Sequence, residues 1–216
     1  MFKTTVLFVA LLLGATGSAL ADGVTFQVSV NTNSILGTAG SLDFQFNPGP
    51  LVSQAASVQI QGFTTDGTLG APAPTGDVSG TLPGTLSFDN GGGFNDYFTG
   101  FTYGDTISFL VNLFGPAVTS PDGVSTSGST FAFSMFSDSA GTAPVLTSDL
   151  VDGFALTTNI NLDGTTTLTN SSSSLLNATP VIATPEPGVL PQLFLGLCAL
   201  ALGFRRFRGR ESVTYH

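Results

Sequence analysis

From Asp22 to Thr184 the chain contains no lysine, arginine or histidine. The same stretch has no glutamate, cysteine or tryptophan, and its ionisable side chains are twelve aspartates together with Tyr97 and Tyr103. Its formal charge is therefore about −12 near neutral pH. No side-chain ion pair can form within such a segment, and the lone Cys198 lies beyond it, so no disulfide can brace it either. Every carboxylate must be solvated, hydrogen-bonded to backbone, or bound to an external cation. Stability has to come from apolar burial and from backbone hydrogen bonding.

The apolar residues of this segment repeat every second position. Val24, Phe26, Val28 and Val30 alternate with Thr25, Gln27 and Ser29, which is the pattern of a half-buried strand. The same alternation runs through Leu42, Phe44 and Phe46, through Val58 and Ile60, and through Ile107, Phe109, Val111 and Leu113. It returns in Phe131, Phe133 and Met135, and in Phe154, Leu156 and Ile160. Weaker strand patterns lie around residues 85–88, 97–103 and 165–168. Turn-forming clusters separate them, among them Asn47-Pro48-Gly49-Pro50, Asp66-Gly67, Pro72-Ala73-Pro74, Asn90-Gly91-Gly92-Gly93 and Asp163-Gly164. Eight or nine short strands with frequent turns predict an all-β domain over residues 22–169, a β-sandwich of jelly-roll-like type with inward phenylalanines as its core. Residues 170–184, which open on Asn170-Ser171-Ser172-Ser173-Ser174, read as a Ser/Thr-rich linker.

Both ends carry processing features. Lys3, the apolar run Val6 to Leu13 and Ala19-Leu20-Ala21 form the three parts of a secretory signal peptide over residues 1–21, with Ala19 and Ala21 as the signal-peptidase site. At the other end, Pro185-Glu186-Pro187 is followed by an apolar segment over residues 188–204. Then come Arg205, Arg206, Arg208 and Arg210, with residues 211–216 as a cytoplasmic end. Arginines after an apolar run read as a membrane stop, with the basic side cytoplasmic. As a transmembrane helix, residues 188–204 would be about 26 Å long, at the short limit for the roughly 30 Å hydrocarbon core. A permanent anchor with snorkelling arginines is one reading. A provisional anchor cut near Pro185 is the other, and a span alone has no need of Pro-Glu-Pro. Proline on both sides of Glu186 keeps that backbone extended and open to an enzyme.

The motif, span and basic end, in that order over residues 185–210, resemble the PEP-CTERM sorting signal of exported Gram-negative proteins. Residues 29–49, with looser echoes at 84–89 and 129–134, are similar to a group of such proteins whose exported domain has no assigned activity. The resemblance implies signal peptidase and an exosortase as processing enzymes, export across the inner membrane, a membrane-anchored precursor and a final place at the cell surface or outside the cell. It also implies a setting of exopolysaccharide and biofilm matrix.

Composition narrows the chemistry further. Without cations the exported segment cannot neutralise phosphates, which excludes nucleic acid as a partner. A Ser-His-Asp triad and a His- or Cys-based zinc site are impossible, because the only histidine is His216. Paired aspartates would be the one catalytic device left, and no aspartate sits in a motif for it, so a non-enzymatic protein is expected. Hard cations suit Asp, Asn and Gly-rich loops better. The densest such loop, residues 89–96, nominates Asp89, Asn90 and Asp96 as Ca²⁺ ligands, against ordinary Asx-turns. A calcium-dependent carbohydrate-binding or adhesive module is the alternative to an inert matrix protein. Tyr97 and Tyr103, with Phe98 and Phe101, would be its aromatic sugar platform, unless they are core.

Overall fold

The computed structural model describes residues 23–172 and 174–181. The signal peptide, the Pro185-Glu186-Pro187 element, the apolar segment 188–204 and the arginine cluster all lie outside the described residues. Among the described residues, no helix is long and apolar enough to cross a membrane.

The strands form because alternation puts one apolar face of each on a common core. In order they are β1 (Val24–Asn31), β2 (Ala39–Pro48), β3 (Ser57–Thr65), β4 (Thr68–Thr75), β5 (Val78–Gly80) and β6 (Leu86–Asp89). They continue with β7 (Asp96–Thr102), β8 (Thr106–Phe114), β9 (Ser129–Phe136), β10 (Phe154–Ile160), β11 (Thr166–Asn170) and β12 (Leu176–Pro180). One helical turn, α1 (Pro116–Thr119), follows β8, and a 3-10 turn spans Asn33–Ile35. Two six-stranded sheets result. The first runs β12-β1-β8-β3-β6-β5, the second β11-β10-β9-β2-β7-β4. Every strand pairing in both is antiparallel.

The sheets form a β-sandwich held by a cluster of rings. Phe44 on β2 meets Phe109 on β8 edge to face, with centroids 5.4 Å apart, and Phe109 meets Phe133 on β9 in the same way at 5.1 Å. Phe63 joins from β3, stacked on Phe109 at 6.3 Å. Edge-to-face pairs set the positive ring edge against the negative face, adding to the burial of large apolar area. Phe63 breaks the alternation of Val58 and Ile60. The β3·β8 register shifts between Gln61 and Thr64, where Gly62 takes a φ of 59°. That bulge changes the strand's phase and turns Phe63 inward.

Two expectations need correction. Pro72-Ala73-Pro74 is part of edge strand β4 rather than a turn. Proline is tolerated there because an edge strand has one side of its backbone unpaired, and it blocks pairing with a further strand. The Ser/Thr-rich segment from residue 170 is not wholly a linker. Asn170 accepts the Ser172 N–H at 2.8 Å and donates its amide to the Leu176 carbonyl at 2.7 Å, closing a turn into β12. β12 then pairs with β1 along its length, Phe26 opposite Pro180 and Val30 opposite Leu176. Leu176 is in the core. The strand's composition is polar because it is short and lies at a sheet edge, where little beyond Leu176 and Ala178 needs to be apolar.

Truncating Phe44 to alanine should lower unfolding free energy by about 3–5 kcal/mol, measured by urea denaturation. Ending the chain after Asn170 removes β12 and uncovers β1. That form should melt well below one ending at Thr184, as followed by far-UV circular dichroism; equal melting temperatures would return residues 171–184 to the status of linker.

Candidate functional site

Loop 89–96 was the sequence's best place for a cation, and the structure shows what organises it. Asn95 is fully buried. Its amide nitrogen donates to the carbonyls of Phe46, Asp89 and Gly92 at 2.9, 3.0 and 3.2 Å, and its Oδ1 accepts the Asp77 N–H at 2.8 Å. Gathering carbonyl oxygens in a glycine-rich loop is what a calcium ion does; here a side-chain amide does it. The three nominated ligands turn to separate partners. The Asp89 carboxylate accepts from the Ser57 hydroxyl. Asn90 accepts the Ala56 N–H and donates to the Gln54 carbonyl and the Ser129 hydroxyl. Asp96 faces Asp43. Asn95 carried no sequence signal of its own, since it stands among several Asn and Gly residues.

Four other aspartates are held by backbone N–H donors. Asp66 accepts the backbone N–H groups of Asp105 and Thr106, and Asp122 accepts those of Val124 and Ser125. Asp138 and Asp163 do the same within their own loops, each also accepting a threonine hydroxyl. Donors directed at the charged form hold these four carboxyls below the usual range. The Asp105 and Ser125 backbone N–H groups contribute most for Asp66 and Asp122, and the hydroxyls of Thr142 and Thr165 for Asp138 and Asp163.

The aromatic residues nominated as a sugar platform are interior. Tyr97, Phe101 and Tyr103 are buried, and Phe98 is half-buried. The Tyr97 hydroxyl accepts the Leu82 N–H at 3.1 Å. The Tyr103 hydroxyl lies 3.0 Å from both the Ser41 and the Phe136 carbonyl oxygens, between which it shares its proton. Neither tyrosine can present a ring to a glycan.

Asp43 is the exception among the aspartates. On β2 the core side chains are Leu42, Phe44 and Phe46, so Asp43 points to the outer face of the second sheet, yet it is only 7 % exposed. It stands opposite Phe98, and Asp96 stands opposite Gln45, so the two carboxyls meet on the diagonal between β2 and β7. They lie within hydrogen-bonding reach of each other. Gln45 donates its amide to Asp43 Oδ2 at 2.6 Å, and Asn47 donates to Gln45 Oε1 at 3.2 Å. Burial first, and then the hydrogen bond and charge of Asp96, push the Asp43 carboxyl up to about 8. Composition gave no means of singling this pair out of twelve aspartates.

Two cavities of about 350 Å³ each lie elsewhere. One is bordered by Pro50, Thr130, Asn159 and Leu162, the other by Phe63, Thr65, Leu69 and Pro83. Neither is lined by a titratable side chain. No family model matches the chain, and no curated protein or solved structure matches it either.

The raised Asp43 group binds a proton more tightly in the folded than in the unfolded chain. Its contribution to stability is complete below an unfolded pKa of about 4 and is lost as pH rises through about 8. With chelator present, Asp43→Asn should therefore melt above the parent near pH 8, with the difference shrinking toward pH 4. Thermal melts across that range check this; a constant difference would contradict it.

Proposed function

We propose that the chain is an exported, non-enzymatic cell-surface or extracellular-matrix protein. It is sorted through its PEP-CTERM-like tail by an exosortase and associated with exopolysaccharide or biofilm material. The observation that carries this reading is where the described strands end. The last of them, β12, ends at Pro180, and the next residue, Val181, donates its N–H to the Thr25 carbonyl at 2.8 Å. A cut near Pro185-Glu186-Pro187 would remove no described strand, and removal of residues 1–21 would leave β1 whole. The segments read as sorting signals therefore share no residue with the described strands.

Three further observations support the proposal. The two cavities described above are lined without a titratable side chain, as in a scaffold. The aspartate loops are held by their own backbone donors, and the resulting surface is anionic and suited to a hydrated matrix. Within the sandwich we read a jelly roll, since β1·β8, β2·β7 and β3·β6 are nested pairs, as expected of a long hairpin rolled into two Greek keys. That architecture serves many unrelated tasks and does not by itself name a ligand.

Mass spectrometry of the endogenous protein tests the assignment. Cells with exosortase should yield a chain starting at Asp22 and ending near Pro185, and cells without it should retain the tail. A chain still ending at His216 when exosortase is present would leave an ordinary anchored protein and overturn the sorting reading.

A further inference from the structure

We propose that Asp43 and Asp96 form a binding site for a divalent hard cation on the outer face of the second sheet. Asp43 is more than nine-tenths buried, and its Oδ1 has no hydrogen-bond donor. Asp96 Oδ1 is likewise buried and without a donor. These carboxyls lie within reach of one another, on the diagonal set by the Asp43·Phe98 and Gln45·Asp96 pairs.

Such an arrangement needs a positive charge between its oxygens, because two carboxylates in contact cannot both remain ionised without one. No described residue can supply it, since there is no side-chain cation between residues 22 and 184. On the flanking strands, β9 places Ser134 opposite Asp43 and Ala132 opposite Gln45, and β4 places Thr75 opposite Asp96 and Ala73 opposite Phe98. None of these is titratable. A proton or an external cation is what remains. All donors to the site are oxygens, which selects Ca²⁺, Mg²⁺ or Mn²⁺ over metals that favour nitrogen or sulfur.

The amide chain Asn47–Gln45–Asp43 fixes the Asp43 carboxylate from behind, as outer-shell partners do at metal sites. Among the described residues no third His, Cys, Asp or Glu joins the pair. With two carboxylates and no third acidic ligand, the affinity expected is that of weak calcium modules, a Kd of about 0.1–1 mM. This site shares Asp96 with the loop nominated from sequence and replaces Asp89 and Asn90 with Asp43. It does not depend on export or on the sorting of the tail.

The test uses the full chain in detergent, with calcium chloride titrated by calorimetry at constant ionic strength. One ion should bind per chain, and Asp43→Asn or Asp96→Asn should weaken binding by about tenfold or more. Asp89→Asn should leave it unchanged. An asparagine at either position can donate its amide to the remaining carboxylate, which preserves the fold. A second readout needs no variant. Mn²⁺ added to the isotopically labelled chain should broaden the amide signals of residues 43–45 and 96–98 before all others. Three results would overturn the site: no saturable heat at millimolar calcium, binding by either Asn variant as tight as the parent's, or broadening confined to the exposed loops around Asp122, Asp138 and Asp163. The last would show diffuse screening of a polyanion only.

Discussion

A carboxylate without a cation in reach has to be stabilised by N–H and O–H donors, and that requirement runs through the whole domain. Asp66, Asp122, Asp138 and Asp163 meet it locally, by turning the carboxyl back onto backbone N–H groups one to a few residues away or across a neighbouring loop. The turns of Asp122, Asp138 and Asp163 are self-sufficient units that ask little of their surroundings. The loops can therefore be many, short and acidic without any matching basic residues, and the sandwich can carry a single sign of charge. Folding against that mutual repulsion is left to the interior, where Phe44, Phe109 and Phe133 tie the two sheets together.

The interior was the legible part of the sequence. Strands β1, β2, β8 and β9 announce themselves because large apolar residues recur at every second position, with burial alternating alongside in β1 and β8. Phe63 was hidden by Gly62, whose bulge shifts the phase by one residue. β4 was hidden by Pro72 and Pro74, which belong to an edge strand as readily as to a turn. β12 was hidden by its serine-rich approach and by having little more than Leu176 and Ala178 to bury. Edge strands need few apolar residues, so their sequences fall below the threshold at which periodicity can be seen.

The polar interactions were less legible, for a different reason. Alternation through Leu42-Asp43-Phe44-Gln45-Phe46 does assign Asp43 to the outer face. Its burial there, and its meeting with Asp96, depend on which strand lies beside β2 and in what register, and neither is written locally. Asn95 poses the same problem: an amide whose role depends on four backbone groups drawn from residues 46, 77, 89 and 92. The dense Asp/Asn/Gly composition of loop 89–96 pointed to a real hub of carbonyl oxygens, but the hub is filled by an amide. Its last aspartate faces away into a second cluster.

The pairing of β12 with β1 has a mechanical consequence. β12 has one neighbour, and its final residue, Pro180, lies opposite Phe26 near the start of β1. A pull applied between Gly23 and Val181, at the same end of the β1·β12 ladder, meets the Val181–Thr25 hydrogen bond first. It then opens the ladder one rung at a time, from Pro180 back toward Leu176. Force applied in this direction unzips a strand instead of shearing it, so each bond is loaded alone. The aromatic core carries none of that load until the ladder has opened. Pulled between these two ends, the domain would thus yield at β12 and recover by re-pairing it, with the rest of the sandwich intact.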